Sequence, residues 1–206
     1  MAIEAVVFDI GNVLIEWRPE RFYDAQIGKA RRRALFDSVP LTAMNLEVDR
    51  GAPMAESVAD LAAAHPDWAD EIRLWHSHWL EMASPAIPGS VKLLEAVKET
   101  GIPVYALTNF GAQTFETARA AYPFFDTFDR AFVSAHLGVL KPEPEIYAVV
   151  ERETGHAPET LLFTDDSPKN VAGAEARGWH AHLFDGPDGW AARLVADGVL
   201  QTAPTA

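Results

Sequence analysis

The sequence predicts an α/β protein, a parallel sheet with helices on both faces whose first strand is followed by an all-helical insertion. Three observations carry this. An apolar run near the start, Ala5-Val6-Val7-Phe8-Asp9-Ile10-Gly11-Asn12-Val13-Leu14, ends at a carboxylate and a Gly-Asn turn. Residues 18–85 then hold no strand pattern. From residue 86 onward, short apolar runs alternate with helical segments, the signature of βαβ units.

The first run is short and rich in β-branched and aromatic residues, so it reads as a buried strand. Asp9 falls at its C-terminal end, the sheet edge where open α/β folds bind ligands. Residues 19–27 and 29–38 read as short helices, and the alanine-rich stretch 53–65 as another. Trp68, Ile72, Trp75, Trp79 and Met82 recur at steps of three and four, which puts a broad apolar stripe on one helix face. Such a stripe is expected to pack on neighbouring helices. Ser84-Pro85-Ala86-Ile87-Pro88-Gly89 stops the helix and marks a boundary. The expected division is therefore 1–17 with 86–206 as the catalytic core and 18–85 as a helical cap over Asp9.

In the second part, strands are expected at 104–107, 131–134, 161–163 and 180–184. Helices are expected at 91–100, 112–121, 142–154, 168–177 and 190–196, several stopped by a glycine just past the end. The tail from Thr202 is small and polar and is expected to fray.

Composition narrows the function. The 206 residues are 49% hydrophobic, enough for a substantial core. A formal net charge of −13 disfavours nucleic acid and anionic membranes as partners, since both need basic surface. With no cysteine, disulfides, thiolate catalysis and zinc–thiolate sites are excluded. No charged-then-apolar leader opens the chain, and no apolar run approaches the roughly 20 residues of a membrane span. A cytoplasmic protein is expected.

Four polar groups end strand-like segments or follow them: Asp9, Thr108-Asn109, Lys141 and Asp165-Asp166. A doubly wound sheet gathers all four at one edge. Each has a plainer reading alone. Asp9 could be a turn residue, Thr108 a helix cap, Lys141 a solvated lysine, and Asp165-Asp166-Ser167 before Pro168 a helix N-terminus. Together they read differently. Adjacent carboxylates beside a third repel one another in a partly dry cleft, and oxygen-only ligands suit Mg²⁺. Lys141, between Gly138 and two prolines, can clamp an anion. Thr108 offers a hydroxyl and a backbone N–H before a helix, a natural phosphate seat.

This constellation resembles the haloacid dehalogenase superfamily over essentially the whole chain. Phe8-Asp9-Ile10-Gly11-Asn12-Val13-Leu14 is similar to its first motif, and Leu107-Thr108-Asn109 to the second. Lys141-Pro142 is similar to the third, and Phe163-Thr164-Asp165-Asp166-Ser167-Pro168-Lys169-Asn170 to the fourth. The greatest similarity is to the helical-cap branch containing α-D-glucose-1-phosphate phosphatase and the N-terminal phosphatase domain of soluble epoxide hydrolases. The resemblance implies a Rossmann-like core with a helical cap and a Mg²⁺-dependent phosphatase acting through an aspartyl-phosphate. Asp9 would be the nucleophile. Mg²⁺ would be held by Asp9, the Gly11 carbonyl and the pair Asp165 and Asp166, with Asp166 as the direct ligand. Lys141, Thr108, Asn109 and Asn12 would serve the phosphoryl group, and Ser167 and Asn170 would support the acidic pair. The expected substrate is a small phosphorylated metabolite, a sugar phosphate first.

One position departs from the pattern. Most phosphatases of this superfamily carry a second Asp two residues after the nucleophile, as acid and base; here it is Gly11. The loss predicts slow turnover or a preference for leaving groups that depart unaided. A substitute acid could come from Glu47, Asp49 or His136, which sequence alone does not rank.

Two other functions compete. A 2-haloacid dehalogenase uses the same Asp on carbon without metal, but Asp165-Asp166 would repel a carboxylate substrate. A weakened, metabolite-binding member fits the missing acid but not the retained Asp9 and Lys141. His76 and His78 lie two apart on a helix and point away from each other, so one ion cannot take both. His180 and His182 read as packing or edge residues, and Arg31-Arg32-Arg33 as a solvated helix face.

Overall fold

In the computed structural model, which describes residues 2–204, a five-stranded parallel sheet in the order β3-β2-β1-β4-β5 forms the centre. The strands are β1 (Ala5–Phe8), β2 (Val104–Thr108), β3 (Arg130–Val133), β4 (Leu161–Asp165) and β5 (His180–Leu183). The last two residues of the tail lie outside the described residues. All four side chains of β1 are fully buried. Val6 and Phe8 join the apolar cluster on one face of the sheet, Ala5 and Val7 the cluster on the other. A strand covered on both faces must be apolar throughout, which is why the run showed no alternation.

The helical segment between β1 and β2 comprises α1 (Pro19–Ile27), α2 (Lys29–Ser38), α3 (Leu41–Asp49), α4 (Met54–Ala64), α5 (Ala69–Ser77), α6 (Trp79–Met82) and α7 (Pro88–Glu99). The first six form the insertion, and α7 packs on the sheet. Five helices complete the fold: α8 (Ala112–Ala121), α9 (Ser134–Leu137), α10 (Pro144–Thr154), α11 (Pro168–Ala176) and α12 (Pro187–Ala196). The chain enters the insertion and returns from it side by side, since Glu16 N donates to Pro85 O and Ile87 N to Leu14 O. None of these helices is long and apolar enough to cross a membrane.

The elements differ from expectation in several places. The tryptophan stripe is divided between α5 and α6, because His78 (φ −124°, ψ 25°) leaves the helical region. The stripe survives the break: Ile72, Trp75, Trp79 and Met82 are all buried. Helix α10 starts at Pro144 and α12 at Pro187, each taking the proline in its first turn, where a missing N–H costs nothing. Helix α3 was not expected at all. Its signal is present in Leu41, Met44 and Val48, buried at steps of three and four.

Strand order places the site. From β1 the chain steps outward through β2 and β3, then crosses back to β4 on the other side of β1. The switch point lies between the C-terminal ends of β1 and β4, where ligand crevices open in such sheets.

Candidate active site

Two strand ends make the floor. Asp9 follows β1, and its backbone N–H still donates to Thr164 O at 2.9 Å, so the side chain emerges at the edge of the sheet. Asp165 ends β4, fully buried, and Asp166 follows it, partly exposed. One carboxylate oxygen from each of Asp9, Asp165 and Asp166 lies within 4.8 Å of the others.

Lys141 enters from the loop before α10. Asn109, just past β2, holds that loop twice: its Nδ2 donates to Lys141 O at 3.0 Å, and Lys141 N donates to its Oδ1 at 2.8 Å. The Lys141 ammonium then donates to Leu107 O at 2.7 Å and to Asp165 Oδ2 at 2.6 Å, with Asp9 Oδ1 at 2.8 Å. All three ammonium protons are thus directed. Burial acts to lower the Lys141 pKa, but Asp165 and Asp9 more than offset it, and the net shift is upward.

The carboxylates outnumber their counter-charge. Burial pushes Asp9 up to about 7, against the pull of Lys141, and Asp165 and Asp166 add to the rise. Burial also raises Asp166, opposed by the Asn12 amide. Three carboxylates facing one ammonium leave an anionic surplus made wholly of hard oxygens, the donor set that suits a small divalent cation.

The two adjacent aspartates divide their work. Asp165 Oδ1 accepts from Ser167 N at 2.8 Å and Asn170 Nδ2 at 3.0 Å, while Oδ2 accepts from Lys141. Its oxygens are therefore engaged by the chain. Asp166 lines the cavity, and its Oδ2 accepts from Asn12 Nδ2 at 2.9 Å. The helix-cap reading of the pair is met only in part: Asp165 receives the Ser167 amide, but no side-chain cap bond forms at the start of α11.

Above the floor lies a cavity of about 220 Å³. Gly11, Asn12, Thr108, Asn109, Lys141 and Asn170 line it beside Asp9 and Asp166. Asn109 spends both ends of its amide on Lys141, so it sets the lysine loop. Asn12 is similarly occupied: its Oδ1 accepts from Trp17 N and Arg18 Nη1. Its φ of +54° is a conformation that Asn tolerates better than most residues.

Another wall comes from the insertion, its linkers and Phe110, and the sequence assigns none of its aromatic residues to a site. Trp17 and Trp79 face each other with centroids 5.9 Å apart, and Trp79 packs edge-on against Phe110 at 5.3 Å. Ile15 and Ala83 complete the apolar part. Asn45 and Asp49, both on α3, supply the polar part. Of these three aromatic residues only Trp79 belongs to the stripe that reads as packing; Trp17 and Phe110 carry no periodic signal.

A model of the haloacid dehalogenase-like hydrolase family matches residues 3–178. The chain belongs to this family. Among curated relatives of this hydrolase, the sesquiterpene phosphatase astK of Aspergillus oryzae is 27% identical over 195 residues, 88% of this chain and 90% of that one. The D-ribitol-5-phosphate phosphatase of Bacteroides thetaiotaomicron is 23% identical, covering 82% of this chain and 85% of its own. A HAD family enzyme from the same bacterium, solved with magnesium and inorganic phosphate, superposes with a TM-score of 0.70 at 22% identity, covering 90% of this chain and 96% of that chain. In this member of the family, the structure brings Asp9, Thr108, Lys141, Asp165 and Asp166 to one sheet edge from four separate segments.

Proposed function

We propose that this hydrolase is a Mg²⁺-dependent phosphatase of small phosphate monoesters, with Asp9 as nucleophile. The observation that carries the reading is the clustering of the Asp9, Asp165 and Asp166 oxygens with Lys141 wedged between Asp9 and Asp165. The phosphatase relatives and the neighbour solved with magnesium and phosphate support it.

Asp9, the Gly11 carbonyl and Asp166 would hold the cation, with Asp165 behind them fixing Lys141. When bound, Mg²⁺ offsets the negative charge of the phosphoryl oxygens and favours ionised Asp9. Asp9 attacks phosphorus; the ester P–O bond breaks and its electron pair leaves with the alcohol oxygen. Lys141 and the Thr108 hydroxyl stabilise charge on the phosphoryl group. Water then hydrolyses the aspartyl-phosphate, releasing phosphate and restoring Asp9. The insertion, as a cap, excludes bulk water during transfer.

The cavity of about 220 Å³ selects compact substrates. A sugar or polyol phosphate fits its mixed wall: C–H faces pack on Trp17 and Trp79 while hydroxyls meet Asn45. A second reading, the phosphate of a short apolar alcohol, is favoured by Ile15, Trp17, Trp79, Ala83 and Phe110.

The test is a panel of sugar, polyol and short-chain alkyl or prenyl phosphates, assayed with Mg²⁺ and with EDTA, with Asp9→Asn as blank. Phosphate release that needs both Mg²⁺ and Asp9 is the expected result. Phosphate release that survives EDTA would overturn the metal requirement, and halide release from 2-haloacids would overturn the reading in favour of a dehalogenase. Metabolite binding without Asp9-dependent turnover would point to a binding member.

A further inference from the structure

Gly11 leaves this phosphatase without the acid that would protonate a departing alcohol, and the cavity must supply one or do without. Its ionisable lining residues are Asp9, Lys141, Asp166 and Asp49. The first three belong to the floor: Lys141 is spent on Asp9 and Asp165, and Asp166 is tied to Asn12. Asp49 alone comes from the insertion, at the end of α3. The other sequence candidates look elsewhere. Glu47 is exposed and borders a groove between α3 and α4; His136 is exposed and borders a surface depression beside His76.

Asp49 is also held in place. Asn45 Nδ2 donates to its Oδ2 at 2.8 Å, and Asn45 Oδ1 in turn accepts from Trp75 Nε1 at 3.0 Å. The end of α3 is seated on the core, where Ser134 Oγ donates to Asp49 O at 2.5 Å. Gly111 permits that seat: a Cβ there would lie 2.7 Å from Val48 Cγ1.

Resting on the phosphatase reading, we propose that Asp49 is the proton donor to the leaving oxygen and the base for the hydrolytic water. In the first step the alcohol oxygen takes the P–O electron pair and a proton from the Asp49 carboxyl. In the second, the attacking water gives its proton to the Asp49 carboxylate as its oxygen bonds to phosphorus, and the phosphorus–Asp9 bond breaks. Burial supports the assignment, raising the Asp49 carboxyl to about 7 against the Gly111 amide and Asn45, so both protonation states are accessible near neutral pH.

The experiment compares Asp49→Asn with the wild type on p-nitrophenyl, phenyl and benzyl phosphates. It reads kcat/KM, which covers only the steps up to loss of the leaving group. For p-nitrophenyl phosphate, whose leaving group needs no proton, the variant should stay within about threefold, whereas for benzyl phosphate it should fall roughly 10²–10⁴-fold. A burst of p-nitrophenolate should appear because the second step loses its base. Equal losses on all three esters would mark Asp49 as merely structural, and no loss would exclude it; either overturns the proposal. Should the variant not fold, the wild type alone decides. A shallow dependence of kcat/KM on leaving-group acidity supports a donor, and a steep one overturns it. If wild-type protein releases phosphate from no ester, the phosphatase reading itself has failed.

Discussion

The Asn12 side-chain amide donates to Asp166 at 2.9 Å, joining residues 154 positions apart across the mouth of the site. The same side chain accepts from Trp17 and Arg18, where the chain enters the insertion. Asn12 thus couples an acidic group of the floor to the root of the helical insertion. Asn12→Gly keeps the positive φ but removes these bonds. Its Mg²⁺ affinity should drop roughly 10–100-fold, the usual cost of losing an outer partner of a metal ligand. Mg²⁺ titration of activity checks this, and unchanged half-saturation would remove Asn12 from the metal site.

Lys141 is a buried charge between two buried carboxylates. Lys141→Met leaves Asp9 and Asp165 facing each other without a counter-charge. The metal-free protein should lose about 3–5 kcal/mol, the typical cost of removing one partner of a buried pair. Urea unfolding in EDTA measures it. Adding Asp165→Asn should recover part of the loss; a double variant no more stable than the single would count against a charge-based cause.

Gly11 has open space around it: a Cβ there meets nothing within 4 Å, and the position carries no positive φ. A carboxylate can therefore be installed. Gly11→Asp should raise turnover of alkyl phosphates and rescue Asp49→Asn on benzyl phosphate. Failure of both would mean that protonation does not limit this site.

Asp49 also predicts how stability follows pH. Burial raises its folded pKa to about 7 from an ordinary 3.8, with Asn45 and the Gly111 amide opposing. Below pH 3.8 both states are protonated and the group contributes nothing. As pH rises toward 7 the unfolded state ionises first, so this contribution to stability falls and then levels off above 7. The full swing is at most about 4 kcal/mol. Asp49→Asn should flatten that part of the curve, measured by urea unfolding between pH 4.5 and 8. Parallel wild-type and variant curves would contradict the shifted carboxyl.

Much of the fold was legible because burial writes itself into residue type. A strand covered on both faces, such as Ala5–Phe8, can only be apolar, and glycine past a helix end is a local backbone requirement. Helix α3 was overlooked although Leu41, Met44 and Val48 carried its period; a proline and a short span hid it. Asn109 was read as a substrate group, and the structure shows it spending its amide on the Lys141 loop. The aromatic wall was harder to see. Trp79 reads as core from its spacing, and only its neighbours Trp17 and Phe110 make it a wall of the cavity.

The order of strand and polar end along the chain was enough to determine a parallel α/β sheet, its interruption after the first strand, and the set Asp9, Thr108, Lys141, Asp165 and Asp166. These follow from local chemistry: periodicity, backbone preference and the position of a charge beside an apolar run. Only the tertiary structure decided which aspartate of the pair faces the cavity and which one anchors the lysine. It alone separated Asp49 from Glu47 and His136. Those choices depend on which groups meet across 24 to 154 residues of chain, and hydrogen-bond partners at that distance are set by how helices pack, not by any neighbour in sequence.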